Sequence, residues 1–253
     1  MKQRELRYKI SKKVCSRFAF PEVNSGRAQE DGSRAKGGKV YRAGSGTGAK
    51  PRVPSAERRE VTLGYCAIRN FKNILKRWSD DRERLHLFIN GFIEAVTEIV
   101  RGQGGTVEKF SGNGMLFAFG QEAESPEDLK NAILAALKIR YRMNKLNRSW
   151  ELFQEDSWKV GIGVARGSAL VEKENEGKGC RYRFRGNLSG LAKGLGDSAH
   201  SSQIIVAEDT YKVPSFPKKF IETNEPYHIQ LHGTDYVTRV REIIAIDREQ
   251  EII

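Results

Sequence analysis

The chain has 253 residues, 38% of them hydrophobic and 30% charged, with a net charge of +12. That length suffices for one substantial domain plus appendages, and no apolar run approaches the roughly 18 residues of a membrane-crossing helix. Three cysteines, Cys15, Cys66 and Cys180, are too few for a disulfide framework and lack zinc spacing, so a reducing, cytoplasmic setting is the expectation.

The charge is unevenly placed. Residues 1–55 hold 14 Lys/Arg against 4 Asp/Glu, whereas the remainder holds 30 against 28. The basic character therefore belongs to a leader, and the body is nearly neutral. Residues 1–20 mix cations with Leu6, Tyr8, Ile10, Val14, Phe18 and Phe20. This pattern is open to three readings: a nucleic-acid arm, an anchor for an anionic surface, or a solvated tail. The following stretch to residue 56 is rich in Gly, Ser, Arg and Lys and reads as a flexible linker. Its Gly44–Lys50 run superficially imitates a phosphate loop but lacks the Gly-Lys adjacency and the strand-to-helix setting. The expected division is a leader over 1–56 and a folded domain over 57–253.

In the domain, Val61–Ile68 is a strand candidate, and Arg69–Asn73 reads as a loop. Ser79, Asp80 and Asp81 supply a cap and an acidic first turn. Leu85, Phe88, Ile89, Phe92, Ile93, Val96, Ile99 and Val100 then recur at helical spacing. Gly104–Gly120 reads as a hairpin. Thr106–Phe110 is β-prone, Asn113-Gly114 favours a type I′ turn, and Met115–Phe119 is apolar enough for burial on both faces. Ser125-Pro126-Glu127-Asp128 opens a second helix, and Trp158–Ala165 is a fourth strand. The order β-α-β-β-α-β predicts an α+β, ferredoxin-like palm with C-terminal strand and helix additions.

Beyond it, residues 170–181 read as an exposed loop or arm, and Tyr182–Arg185 alternates like a strand. Gly186–Leu195 is a glycine-laden short helix. Ser202–Ala207 is a strand, Glu208–Tyr211 a helical turn, and Tyr227–Leu231 with Tyr236–Ile244 a final hairpin. Arg181, Arg183 and Arg185 interleaved with Tyr182 and Phe184 fit either a phosphate- or RNA-binding strand or a half-buried strand with a charged outer face. His86, His200, His228 and His232 show no metal spacing and no nucleophile partner.

These motifs, in this order, resemble the class III adenylate/guanylate cyclase catalytic domain over about residues 57–245. Tyr65-Cys66-Ala67-Ile68-Arg69-Asn70-Phe71 stands where the family has F-A-D-I-x-G-F. Gly104-Gly105 and Lys109-Phe110-Ser111-Gly112-Asn113 stand for G-G and K-x-x-G-D. Gly161-Ile162-Gly163 with Gly167, and Ile204 to Tyr211, match the later G-I-G-x-x-x-G and I-x-V-x-x-x-T-Y segments.

The resemblance implies a dimer with ATP or GTP bound between subunits. It also implies two Mg²⁺ or Mn²⁺ ions, held by two aspartates, that promote attack of the ribose 3′-hydroxyl on the α-phosphate. Here the aspartate positions are Ala67 and Asn113, and the transition-state Asn/Arg positions are Gly190 and Gly194. Lys109 keeps the purine-recognising lysine, but its acceptor partner is Arg183, and His232 stands near the phosphate-binding lysine. The expectation is a catalytically inactive cyclase-homology domain with no metal or other cofactor. It would act as a dimerising or nucleotide-binding module, as a homodimer or with another cyclase-type domain. Possible nucleotide contacts fall on Lys109, Asn113, Arg183, Ile68, Phe71 and Lys72. The alternatives are a weak or altered cyclase needing Mg²⁺ or Mn²⁺, and a binder of nucleic acid or an acidic surface through residues 1–55.

Overall fold

The computed structural model describes residues 55–108, 110–149, 158–176 and 179–246. The leader's expected arm and linker, and Lys109, lie outside these residues. Among the described residues no helix is long and apolar enough to cross a membrane.

The described residues form nine strands and five helices. They are β1 (Ser55–Ile68), α1 (Phe71–Arg77), α2 (Arg82–Gly102), β2 (Thr106–Val107), β3 (Gly114–Phe119), α3 (Asp128–Ser149) and β4 (Val160–Glu176). After these come β5 (Gly179–Arg185), α4 (Asn187–Ser198), β6 (Ile204–Ala207), α5 (Glu208–Lys212), β7 (Ile221–Thr223), β8 (Tyr227–Gln230) and β9 (Val237–Ile246). The sheet order is β2-β3-β1-β4-β6-β9-β7, with β5 paired to β4 and β8 to β9. The strands β2-β3-β1-β4 are antiparallel throughout, so the βαββαβ palm predicted from the motifs is present. β6 joins parallel to β4 and carries the C-terminal additions.

Period-2 alternation divides the apolar strand residues between two cores. Cys66, Ile68, Met115, Phe117 and Phe119 pack against α2 and α3. Tyr65, Ala67, Leu116 and Ala118 pack against α4 and β5. This is why Met115–Phe119 is apolar without a break. At the outer end of the helix-side core, Phe88 stacks on Trp158 at 4.6 Å and meets Trp78 edge-on at 5.1 Å. The Trp158 indole N–H donates to the Phe88 carbonyl at 3.2 Å.

Several expectations change. β1 starts at Ser55, ahead of the apolar run, because its polar first half pairs with β4 from Ser55↔Lys173 onward. Residues 170–181 form a hairpin, β4 running on to Glu176 and β5 returning in register from Glu176↔Gly179 to Leu170↔Arg185. The expected loop at 69–73 contains the start of α1. Asn70, at φ 56°, turns the chain, and Phe71 and Ile74 then bury one turn apart. α3 begins at Asp128 rather than at Pro126. Ser125 Oγ accepts from Glu127 N–H at 3.2 Å, while Ser125 N–H donates to the Asp128 carboxylate at 2.7 Å.

Two glycines allow the contact on which the site depends. A methyl on Gly163 of β4 would overlap the Gly196 nitrogen and Leu195 of α4, and one on Gly196 would overlap the Tyr65 carbonyl of β1. α4 thus lies backbone against backbone on the sheet. Gly190 on the same helix faces open space. Replacing Gly163 by Ala should destabilise the chain by about 2 kcal/mol or more through overpacking. Gly190→Ala should stabilise it by about 0.5–1 kcal/mol through helix propensity. Urea denaturation of the two variants checks both signs.

Candidate functional site

The two positions that the motifs assign to metal-binding aspartates are neighbours. Ala67 of β1 pairs with Gly114 of β3 on one side and Gly161 of β4 on the other. The Ile68 N–H donates to the Asn113 carbonyl at 2.7 Å, which ties the hairpin tip to the end of β1. Ala67 is fully buried in the core under α4. The tip closes through Ser111 N–H to Gly114 O at 2.9 Å. Its positive φ, 65°, falls on Gly112 and not on Asn113. That distribution matches a type II′ turn rather than the expected type I′, the glycine taking the first central position.

Asn113 is engaged on both sides of its amide. Its Oδ1 accepts from the Tyr65 hydroxyl at 3.2 Å, and its Nδ2 donates to Asp197 Oδ1 at 3.1 Å. The Tyr65 oxygen is also 3.1 Å from the Ser111 carbonyl. Asp197, in the last turn of α4, also pairs with Lys193 one turn earlier. Arg69, just past β1, donates to the Asp197 carbonyl at 2.6 Å and to the Gly196 carbonyl. Its guanidinium therefore caps the C-terminal end of α4, where exposed carbonyls concentrate negative charge. Burial lowers the Arg69 pKa and the Asp197 carboxylate draws it back. Burial, with Asp197 adding, pushes the Tyr65 phenol well above its ordinary value, so Tyr65 stays a hydroxyl and a donor at neutral pH.

The other assigned positions are more dispersed. Gly190 faces open space, whereas Gly194 lies against Leu231, close enough that an added methyl would contact it at 3.0 Å. Ile68 and Phe71 turn into the helix-side core, Phe71 meeting Phe110 edge-on at 5.7 Å, so their side chains are not free for a ligand. Lys72 is exposed. Arg183 pairs with Glu174 at 3.2 Å and Arg185 with Glu172 at 2.8 Å, while Tyr182 and Phe184 are buried. This matches the half-buried strand with a charged outer face. Glu108, just past β2, accepts from the Phe184 N–H of β5 at 2.9 Å, a link that sequence reading did not anticipate.

Beside this network an open cleft of about 400 Å³ is lined by Arg69, Asn70, Asp197, His200, Gln230 and His232, among others. Among the described residues no group of three or more His, Cys, Asp or Glu is placed to hold a metal ion. The cleft offers several hydrogen-bond donors and one carboxylate. Asp197 escaped sequence reading; its only local signal is the Lys193–Asp197 spacing of a helix-end ion pair.

No protein-family model matches the chain. By sequence it is similar to a cytidylate cyclase of Staphylococcus aureus, 27% identical over 143 residues, covering 54% of this chain and 34% of that protein. The chain thus spans about a third of that relative's length. By structure it is similar to the guanylyl cyclase Cya2, at 18% identity and a TM-score of 0.65, covering 78% of this chain and 97% of that one. It is equally similar to the adenylyl cyclase CyaB of P. aeruginosa, at 20% identity and a TM-score of 0.65, covering 77% and 98%. The fold that the motifs imply is the fold present: the described domain has the fold of adenylyl and guanylyl cyclase domains.

Proposed function

We propose that this chain is a catalytically inactive nucleotidyl cyclase domain that works by binding a nucleotide and pairing with a second cyclase-type domain. The supporting observation is the Ala67–Asn113 pair. Two divalent ions need hard oxygen ligands with negative charge. Ala67 offers no ligand atom and lies buried, and the Asn113 amide is already bonded to Tyr65 and Asp197. The residues present do not fit the metal pair, so no reaction step is routed through it.

The transition-state positions agree with this. Gly190 and Gly194 carry no side chain, and Leu231 covers the second. Purified full-length chain incubated with ATP, GTP, CTP or UTP and Mn²⁺ or Mg²⁺ should release no 3′,5′-cyclic nucleotide. Robust formation of any of the four would overturn inactivity. It would favour the second reading, a weak or altered cyclase, to which the sequence likeness to a cytidylate cyclase lends support. Pairing is tested separately by sedimentation of the full chain over a range of concentrations. A strictly monomeric chain would remove self-pairing from the proposal.

The Ala67 environment gives a further test. An aspartate there would put a carboxylate into an apolar core with no metal to neutralise it, at a cost of about 2 kcal/mol or more. Ala67→Asp should therefore lower the thermal midpoint, and added Mn²⁺ should not restore it. Recovery on Mn²⁺ addition would reveal a latent ion site and count against the proposal.

A further inference from the structure

We infer that Asn113 and Asp197 form a latch that holds the β2–β3 tip to α4 by side chains alone, and that the neutral amide at position 113 is what keeps divalent ions out of it. The latch stands apart from nucleotide binding, and its test contains no nucleotide. Four side chains from three elements close a ring. The Tyr65 hydroxyl of β1 donates to Asn113 Oδ1 at 3.2 Å, and Asn113 Nδ2 donates to Asp197 Oδ1 at 3.1 Å. Asp197 Oδ2 pairs with Lys193, whose ammonium lies 5.1 Å from the centroid of the Tyr65 ring.

The ring needs a group at 113 that both accepts and donates. A carboxamide does both, whereas an ionised carboxylate only accepts. An aspartate at 113 would face Asp197 across the 3.1 Å that now separates amide from carboxylate. Two carboxylates that close do not both stay ionised without a cation between them. In the wild type the Asp197 oxygens are instead matched by a donor each, the amide on one and Lys193 on the other.

The β1 side excludes an ion by sterics and charge. Ala67 pairs with Gly114 and Gly161, and residues directly opposite one another share a face of the sheet. A methyl on Gly161 would meet the Arg69 guanidinium and the Ala199 carbonyl, and one on Gly114 would meet the Cys66 carbonyl. The place beside Ala67 is thus filled by backbone and by a cation. A divalent ion entering it would meet like charge at contact range, where the repulsion is strongest.

The experiment compares the full-length wild type, Asn113→Asp and the exchange variant Asn113→Asp/Asp197→Asn, each in EDTA and in Mn²⁺. Thermal midpoints report the latch, and the electron paramagnetic resonance signal of free Mn²⁺ reports ion uptake. The wild-type midpoint should be the same in EDTA and Mn²⁺. Asn113→Asp should melt roughly 3–8 °C lower in EDTA, take up an additional Mn²⁺ and regain its midpoint with it. The exchange variant keeps a donor and an acceptor at each contact and the same total charge. It should recover most of the loss in EDTA and take up no additional Mn²⁺. An Asn113→Asp midpoint equal to the wild type in EDTA overturns the latch, as does an exchange variant no more stable than Asn113→Asp. Where Asn113→Asp does not fold in EDTA, a folded exchange variant supports the latch and an unfolded one overturns it. A wild type stabilised by Mn²⁺, or an Asn113→Asp chain that takes up no additional ion, overturns the role of the amide.

Discussion

The close seating of α4 on the sheet is the contact on which the site depends. A helix is normally held off a sheet by the side chains that fill the gap between them. Here Gly163 and Gly196 remove those side chains, and the helix backbone reaches the backbone of β1 and β4. Leu188, Ala192 and Leu195 complete the contact from the helix, and Val61, Leu63 and Tyr65 from β1. The glycines that make α4 a poor helix by propensity are in part the price of this proximity. The apolar contact offsets their intrinsic cost, as tertiary packing commonly does for helices.

This seating also arranges the charges. It carries the last turn of α4 over the end of β1 and beside the β2–β3 tip, so Asp197 reaches Asn113, and Arg69 reaches the Gly196 and Asp197 carbonyls. The result is a polar network of Tyr65, Asn113, Asp197, Lys193 and Arg69 around a buried alanine. In that network the cation beside the hairpin tip is a side chain covalently part of the chain. Asn113 and Ala67 bring no charge of their own to it, and its one carboxylate, Asp197, is paired with Lys193. The cations of this network are Arg69, on the α4 carbonyls, and Lys193, on Asp197.

Apolar pattern carried most of the fold in the sequence. The alternation in β1, the uninterrupted run of β3, and the helical spacing of α2 and α3 all report burial, and burial is what patterning encodes. The first half of β1 and the β4–β5 hairpin were hidden because polar residues such as Glu57, Arg58, Glu172 and Lys173 are held there by backbone pairing. The start of α1 was hidden because Asn70 makes the turn with a left-handed backbone that needs no glycine. For the candidate site, the motif order pointed to the end of β1 and the hairpin tip, which the structure places side by side. It gave no warning of Asp197 or Glu108, whose partners lie 84 and 76 residues away in the chain. Such contacts come from topology, and no local pattern announces them.

The vacated positions are also coupled to one another through packing. Ala67 is small, and it lies in the same core as Leu195 of α4 and Ala199 just past the helix. With α4 seated there, Gly194 faces Leu231 from the turn after β8, and any side chain at 194 would have to displace it. A larger residue at 67 would press on the helix, and a larger one at 194 would press on the β8–β9 turn. Restoring a single polar group would thus strain the seating that the rest of the domain uses. The absence of side-chain chemistry at these positions and the tightness of the fold around them are two aspects of one packing solution. The scaffold is closed at these positions by packing of α4 and Leu231.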